Sequence, residues 1–135
     1  MKIIKKIKKP IGFLVAIGVS ILGLFFVVTC TWIGVDVKTR CQEAKKDYTG
    51  TCVEALSQLL DDENQAFRNR NSAIWALGQL GNKQALPILE KYYTGDIPDR
   101  EPWNGVVSQY ELKKAIKLLN NGKNITAIFW RYGIK

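Results

Sequence analysis

Three cysteines and no histidine leave few side chains for covalent or redox chemistry. Cys41 and Cys52 bound the stretch CQEAKKDYTGTC with ten residues between them, Tyr48, Thr49 and Gly50 supplying a turn. In an oxidising compartment this spacing suits a disulfide that stabilises by up to about 3 kcal/mol in the chain-entropy model. The alternative is a pair of ordinary buried thiols, because sequence does not fix a Cα separation. Zinc is disfavoured, since two cysteines without histidine fall short of four ligands. No histidine can act as a general base, no G-x-S-x-G or phosphate-cradling loop occurs, and Asp61, Asp62 and Glu63 read as a solvated loop. The residues therefore predict a non-enzyme with no metal or cofactor.

Recognition chemistry is better represented. Arg68 and Arg70 precede an apolar helical pattern, while Arg100 and Trp103 lie in TGDIPDREPWNGVV, residues 94–107, a stretch with two prolines and two glycines. Arginine and tryptophan are frequent anchors of protein interfaces, and long loops often carry function. These four residues are the expected partner contacts. The alternative for the loop is a connector folded over the helices with Trp103 buried. Asn124, Ile125 and Thr126 match the glycosylation sequon, a weak three-residue signal.

The elements that hold these residues begin with a membrane-length segment. Residues 11–35, IGFLVAIGVSILGLFFVVTCTWIGV, are 25 uncharged positions, more than the roughly 20 that a helix needs to cross a bilayer. A core helix of that length is too large for the remaining chain to enclose. A cleaved signal would have a shorter apolar region and small residues at its end, whereas this one ends in Thr29, Cys30, Thr31 and Trp32. A lipid-modified Cys30 stays open, with Thr29 a poor match to the small residue preferred before such a cysteine. The uncleaved single-pass anchor is the preferred reading. Lys2, Lys5, Lys6, Lys8 and Lys9 hold five of the 20 basic residues, and beyond residue 35 the remaining 15 face 12 acidic residues, a net of +3. The excess charge belongs to the membrane flank rather than to a nucleic-acid surface, and it predicts a cytoplasmic N-terminus in the cell membrane with the rest of the chain outside. Gly12, Ala16 and Ser20 recur every four residues, a spacing that suits close helix pairing in lipid and homo-oligomers through the anchor.

Beyond the anchor the periodicity is helical throughout. Thr51 and Glu54 form a capping-box pattern ahead of a face made by Val53, Leu56 and Leu60. A second helix, about Arg68 to Leu80, places Ala73, Leu77 and Leu80 on one stripe. Gly81 ends it and Asn82 caps a third, with Leu86, Leu89 and Tyr93 inward and Pro87 in its first turn. Ser108 and Glu111 form another capping-box pattern before Leu112, Ala115, Ile116 and Leu119, and Asn121 and Gly122 stop that helix. The tail NITAIFWRYGIK is too apolar to stand in water. It is expected to cap the helical stack, with a position at the membrane interface as the alternative.

The segment NRNSAIWALGQLGNKQALPILEKYY resembles a HEAT-type repeat, of the short variety also found in phycobilisome lyases. Ala76, Leu77, Gly78, Leu80 and Gly81 match its A-L-G-x-L-G core, and Ala85, Leu86, Pro87 and Leu89 its A-L-P-x-L opening. The chain is similar to small bacterial membrane-anchored proteins with one or two such repeats. The resemblance implies an all-α fold of repeat type and supplies no catalytic residue. The organisation expected is a basic flank over 1–10, a transmembrane helix over 11–35, a juxtamembrane segment over 36–50, a HEAT-like helical domain over 51–122 and an apolar tail over 123–135. The expected role is a scaffold that binds a protein partner at the membrane surface, with lipid as its other neighbour and no nucleic acid. Alternatives are a structural subunit that pairs through its anchor and a bilin lyase-like enzyme.

Overall fold

In the computed structural model, described over residues 2–102 and 104–134 with side chains from Pro10 onward, α1 runs without interruption from Lys2–Asp47. At about 1.5 Å per residue, its 46 residues extend roughly 70 Å. No residue of its most apolar 18-residue window is buried, so this stretch is not a core helix within the chain. It is long and apolar enough to cross a membrane. Ser20, Thr29 and Thr31 donate their hydroxyls to the carbonyls of Ala16, Phe25 and Val27 at 2.8 to 2.9 Å. Their polar groups are thereby satisfied within the helix, as an apolar surrounding demands.

The last three turns of α1 behave differently. Val37, Cys41 and Ala44 are buried in the core, their spacing of four and three placing them on one helical face. The expected juxtamembrane segment over 36–50 is therefore mostly the first core helix of the domain. After a turn at Gly50, α2 occupies Cys52–Asp61 with the expected capping box: Glu54 N–H donates to Thr51 Oγ1 at 3.3 Å, and Thr51 N–H to Glu54 Oε2 at 2.7 Å.

Helix α3, Phe67–Leu80, is central and packs on α1, α2 and α5. Its close approach to α5 depends on Gly78, where a Cβ would lie 2.9 Å from the Cα of Ala115. Gly81 ends α3 at φ 64°, the left-handed conformation that favours glycine. Asn82 then accepts from Gln84 N–H at 3.0 Å, capping a 3₁₀ turn at Lys83–Ala85 that leads into α4, Leu86–Tyr92, with Pro87 in its first turn.

Helix α5, Gln109–Asn120, departs from the expected capping box at its start. Ser108 Oγ accepts from Glu111 N–H at 3.1 Å, but Ser108 N–H goes to Asn71 Oδ1 at 2.8 Å. Glu101 from the preceding loop takes the other free donors, accepting from Ser108 Oγ at 2.5 Å and Gln109 N–H at 2.7 Å. A carboxylate at a helix N-terminus is favoured by both the free amides and the helix dipole. The short α6, Ala127–Trp130, and a 3₁₀ turn at Arg131–Gly133 close the chain against α1. Among the described residues there is no strand.

Candidate recognition groove

Two clefts that share Arg40 and Ser72 form a groove between α1 and α3. One, of about 320 Å³, is walled by Arg40, Glu43 and Asp47 of α1 and by Asn69, Ser72 and Ala73 of α3, with Leu56 and Leu59 of α2 at its base. The other, of about 280 Å³, adds Asp36, Arg68 and Trp75. Arg40 is held in place by Asp36 at 3.6 Å and Glu43 at 3.2 Å, one turn to either side. The groove thus offers charges of both signs, amides, a hydroxyl and an indole. That inventory suits a polypeptide segment carrying both polar and apolar side chains.

The four expected partner contacts are not brought together. Arg68 is exposed and lines the groove. Arg70, two positions on, is 6% exposed. Its Nε donates to the Leu60 carbonyl at 2.8 Å, and its guanidinium lies 5.1 Å from the Tyr92 ring centroid and 5.9 Å from that of Phe67. A step of two residues turns a helix by about 200°, so both arginines cannot share one face. Arg70 joins α2, α3 and α4, and its expected role as a contact is corrected to a structural one. Arg100 is exposed on the loop and lines neither cleft. Trp103 lies outside the described residues. The loop itself is fixed by Glu101 and by Gln109, whose Oε1 accepts from Thr94 N–H at 2.8 Å.

Cys41 and Cys52 are joined, with Cα atoms 5.2 Å apart, tying the last turns of α1 to the start of α2. Gly12, Ala16 and Ser20 sit on the exposed stretch of α1, and a Cβ at Gly12 would meet nothing within 4 Å. Asn124 of the sequon is engaged internally, its Nδ2 donating to Gln79 Oε1 at 2.6 Å and its Oδ1 accepting from Thr126 at 2.7 Å. Among the described residues, no group of three or more Cys, Asp or Glu side chains is placed to hold a metal ion.

Sequence reasoning missed the polar groups that tie the helices and loops of the domain to one another. Asn71 is fully buried and ties α3 to the loop before α5, accepting from Ser108 N–H and donating to the Val106 carbonyl at 2.9 Å. Asp61 accepts from Lys91 and, at 2.7 Å, from Tyr92. Lys91, then Tyr92, hold its carboxyl below the usual carboxylate range. Asp62 accepts from Tyr48 at 2.6 Å, which likewise lowers its carboxyl and raises the Tyr48 phenol. The signal for these pairs was only the acidic run itself, since their partners lie 14 to 31 residues away.

Short helices packed around the central α3, with a groove between α1 and α3, make this an all-helical region of repeat type. Residues 36–101 match the family model described as HEAT repeats. The match begins one residue before Val37, the first residue of α1 in the buried core cluster. The chain is similar to deoxyhypusine hydroxylase of Candida albicans, 46% identical over 41 residues that make up 30% of this chain and 13% of that protein. It is also similar to deoxyhypusine hydroxylase of Schizosaccharomyces pombe, 34% identical over 76 residues, 55% of this chain and 23% of that protein. The chain thus spans less than a quarter of the length of these relatives. No solved structure matches it. The expectation of a non-enzyme is corrected by these relatives, both of which are named as an enzyme. Repeat geometry without a catalytic motif is no ground for excluding enzymatic function.

Proposed function

We propose that the chain is a membrane-anchored module that binds a protein segment in the groove between α1 and α3. The observation that carries this is the double use of α1: one helix supplies the apolar span and, directly beyond it, the Asp36, Arg40 and Glu43 wall of the groove. The partner is then a protein at the membrane surface, and confinement beside it raises the effective concentration. In this reading the lysine-rich N-terminus stays in the cytoplasm, the repeat lies on the outer side of the cell membrane, and Arg68 and Trp75 make contacts. Arg100 serves only a partner that also reaches the loop. A photocrosslinking residue placed at 68 or 75 in the full chain in its membrane should give a discrete adduct, and one at Lys113 on α5 should not. Equal labelling from all three positions, or none from the groove, overturns the reading.

A second reading is favoured by the relatives' name. The repeat then serves an enzyme acting on deoxyhypusine. Incubation of the full chain with deoxyhypusine, dioxygen and a two-electron reductant, followed by mass spectrometry, tests it through the gain of one oxygen atom, the second leaving as water. Pairing through Gly12, Ala16 and Ser20 is compatible with either reading.

A further inference from the structure

The C-terminal segment has two unlike faces. Toward the protein it turns Ala127, which is 1% exposed, and Trp130, which covers Gly34 so closely that a Cβ there would lie 2.6 Å from the Trp130 Cβ. Arg131, the one charge between Lys123 and Lys135, points the same way and donates to the Gln79 carbonyl at 2.9 Å. Outward it turns Ile125, Ile128, Phe129 and Tyr132, each 63 to 89% exposed.

This outward face is continuous with the apolar surface of α1. The Phe129 and Phe26 rings meet in a T-shaped arrangement, 5.7 Å between centroids. A hydrocarbon core about 30 Å thick takes up roughly 20 residues of helix. Wherever that length is placed within residues 11–35, its outer edge falls no earlier than about residue 30. Phe26 then lies about 6 Å or more inside the edge, and Phe129 lies beside it.

Resting on the reading of α1 as a membrane span, we infer that the C-terminal segment is a second membrane contact, inserting Ile128 and Phe129 among the lipid acyl chains beside α1. The domain is then held at two points, which fixes its rotation about α1. Arg131 and Asn124, bonded to Gln79, tie the inserted segment to the C-terminal end of α3, so lipid contact is transmitted to the repeat.

The test uses the full chain with Cys30→Ala, reconstituted in phosphatidylcholine vesicles, with nitroxide labels introduced one at a time by Leu22→Cys, Ile128→Cys, Phe129→Cys and Lys113→Cys. Relaxation by dissolved oxygen and by a water-soluble nickel chelate reports lipid against water. Labels at 22, 128 and 129 should favour oxygen by at least several-fold, and the label at 113 should favour nickel. Ile128→Cys leaves the Phe26–Phe129 contact intact and guards against a detached segment at 129. Lipid exposure at 22 with water exposure, or shielding from both reagents, at 128 overturns this inference alone. Water exposure at 22 overturns the membrane span as well.

Discussion

Replacing Arg70 with alanine separates a structural arginine from a contact residue. The change removes a hydrogen bond from a charged donor to the Leu60 carbonyl, contributing about 1.5 to 3 kcal/mol. It also removes a cation–π contact with Tyr92, contributing about 0.5 to 1 kcal/mol, and the packing of the aliphatic stem. The first two depend on one guanidinium and do not simply add. A loss of about 3 kcal/mol is expected, against a total of about 5 to 15 kcal/mol for a domain. Arg68→Ala, at an exposed position of the same helix, should stay within about 0.5 kcal/mol of the parent. Urea unfolding of the full chain in detergent micelles, followed by tryptophan fluorescence, measures both. If Arg70→Ala unfolds at the parent's midpoint yet loses partner crosslinking, the buried assignment is wrong and the arginine is a contact after all.

Gly78→Ala gains about 1 kcal/mol of helix propensity but sets a methyl group 2.9 Å from the Ala115 backbone, and overpacking of this kind costs about 1 to 3 kcal/mol. The same unfolding assay should show net destabilisation, and a raised midpoint would refute the close approach of α3 and α5. Asp61 and Asp62 are held below the usual carboxylate range, Asp61 mainly by Lys91 and Asp62 mainly by Tyr48. Depressed carboxyls contribute stability that is complete well above their unfolded value, about 3.9, and is lost as pH falls through the lower folded value. The urea midpoint should therefore drop on acidification below about pH 5, and Asp61→Asn should flatten that slope; an unchanged slope counts against the pair. With the repeat outside the cell, an impermeant maleimide should label Cys41 and Cys52 of intact cells only after reduction, while Cys30, 3% exposed, stays unlabelled. Labelling that requires lysis would place the repeat inside.

Much of the helical order was legible because local rules sufficed: Thr51 with Glu54, Gly81 after Leu80 and Asn82 before Gln84 each act within a few residues. The first repeat helix was hidden for a physical reason. Val37, Cys41 and Ala44 carry a helical spacing, but they continue the same helix as the apolar span, with no cap or glycine to mark the change of environment. Reading that spacing alone would have found it. Glu101 and Asn71 were beyond local reading, since their partners are fixed by tertiary packing 7 to 37 residues away. Arg70 was misread because its type fits an interface as well as it fits a buried junction, and only the angular separation from Arg68 distinguishes the two.

Read as a membrane span, α1 is an anchor that continues directly into the domain it holds. A flexible linker would leave the repeat free to search a hemisphere around its attachment, with effective concentration falling as the linker lengthens. Here the groove wall runs from Asp36 to Asp47 directly beyond the apolar stretch, a rise of about 17 Å. With α1 across the bilayer, a partner segment has to pass within about that distance of the lipid to enter the groove. Orientation is constrained at the base, where the Cys41–Cys52 bond ties α1 to α2 and Trp130 packs on Gly34. With α1 across the bilayer and the groove as the binding site proposed above, its height comes from the helix and its heading from these two ties, and loosening either should lower partner capture without releasing the chain from the membrane.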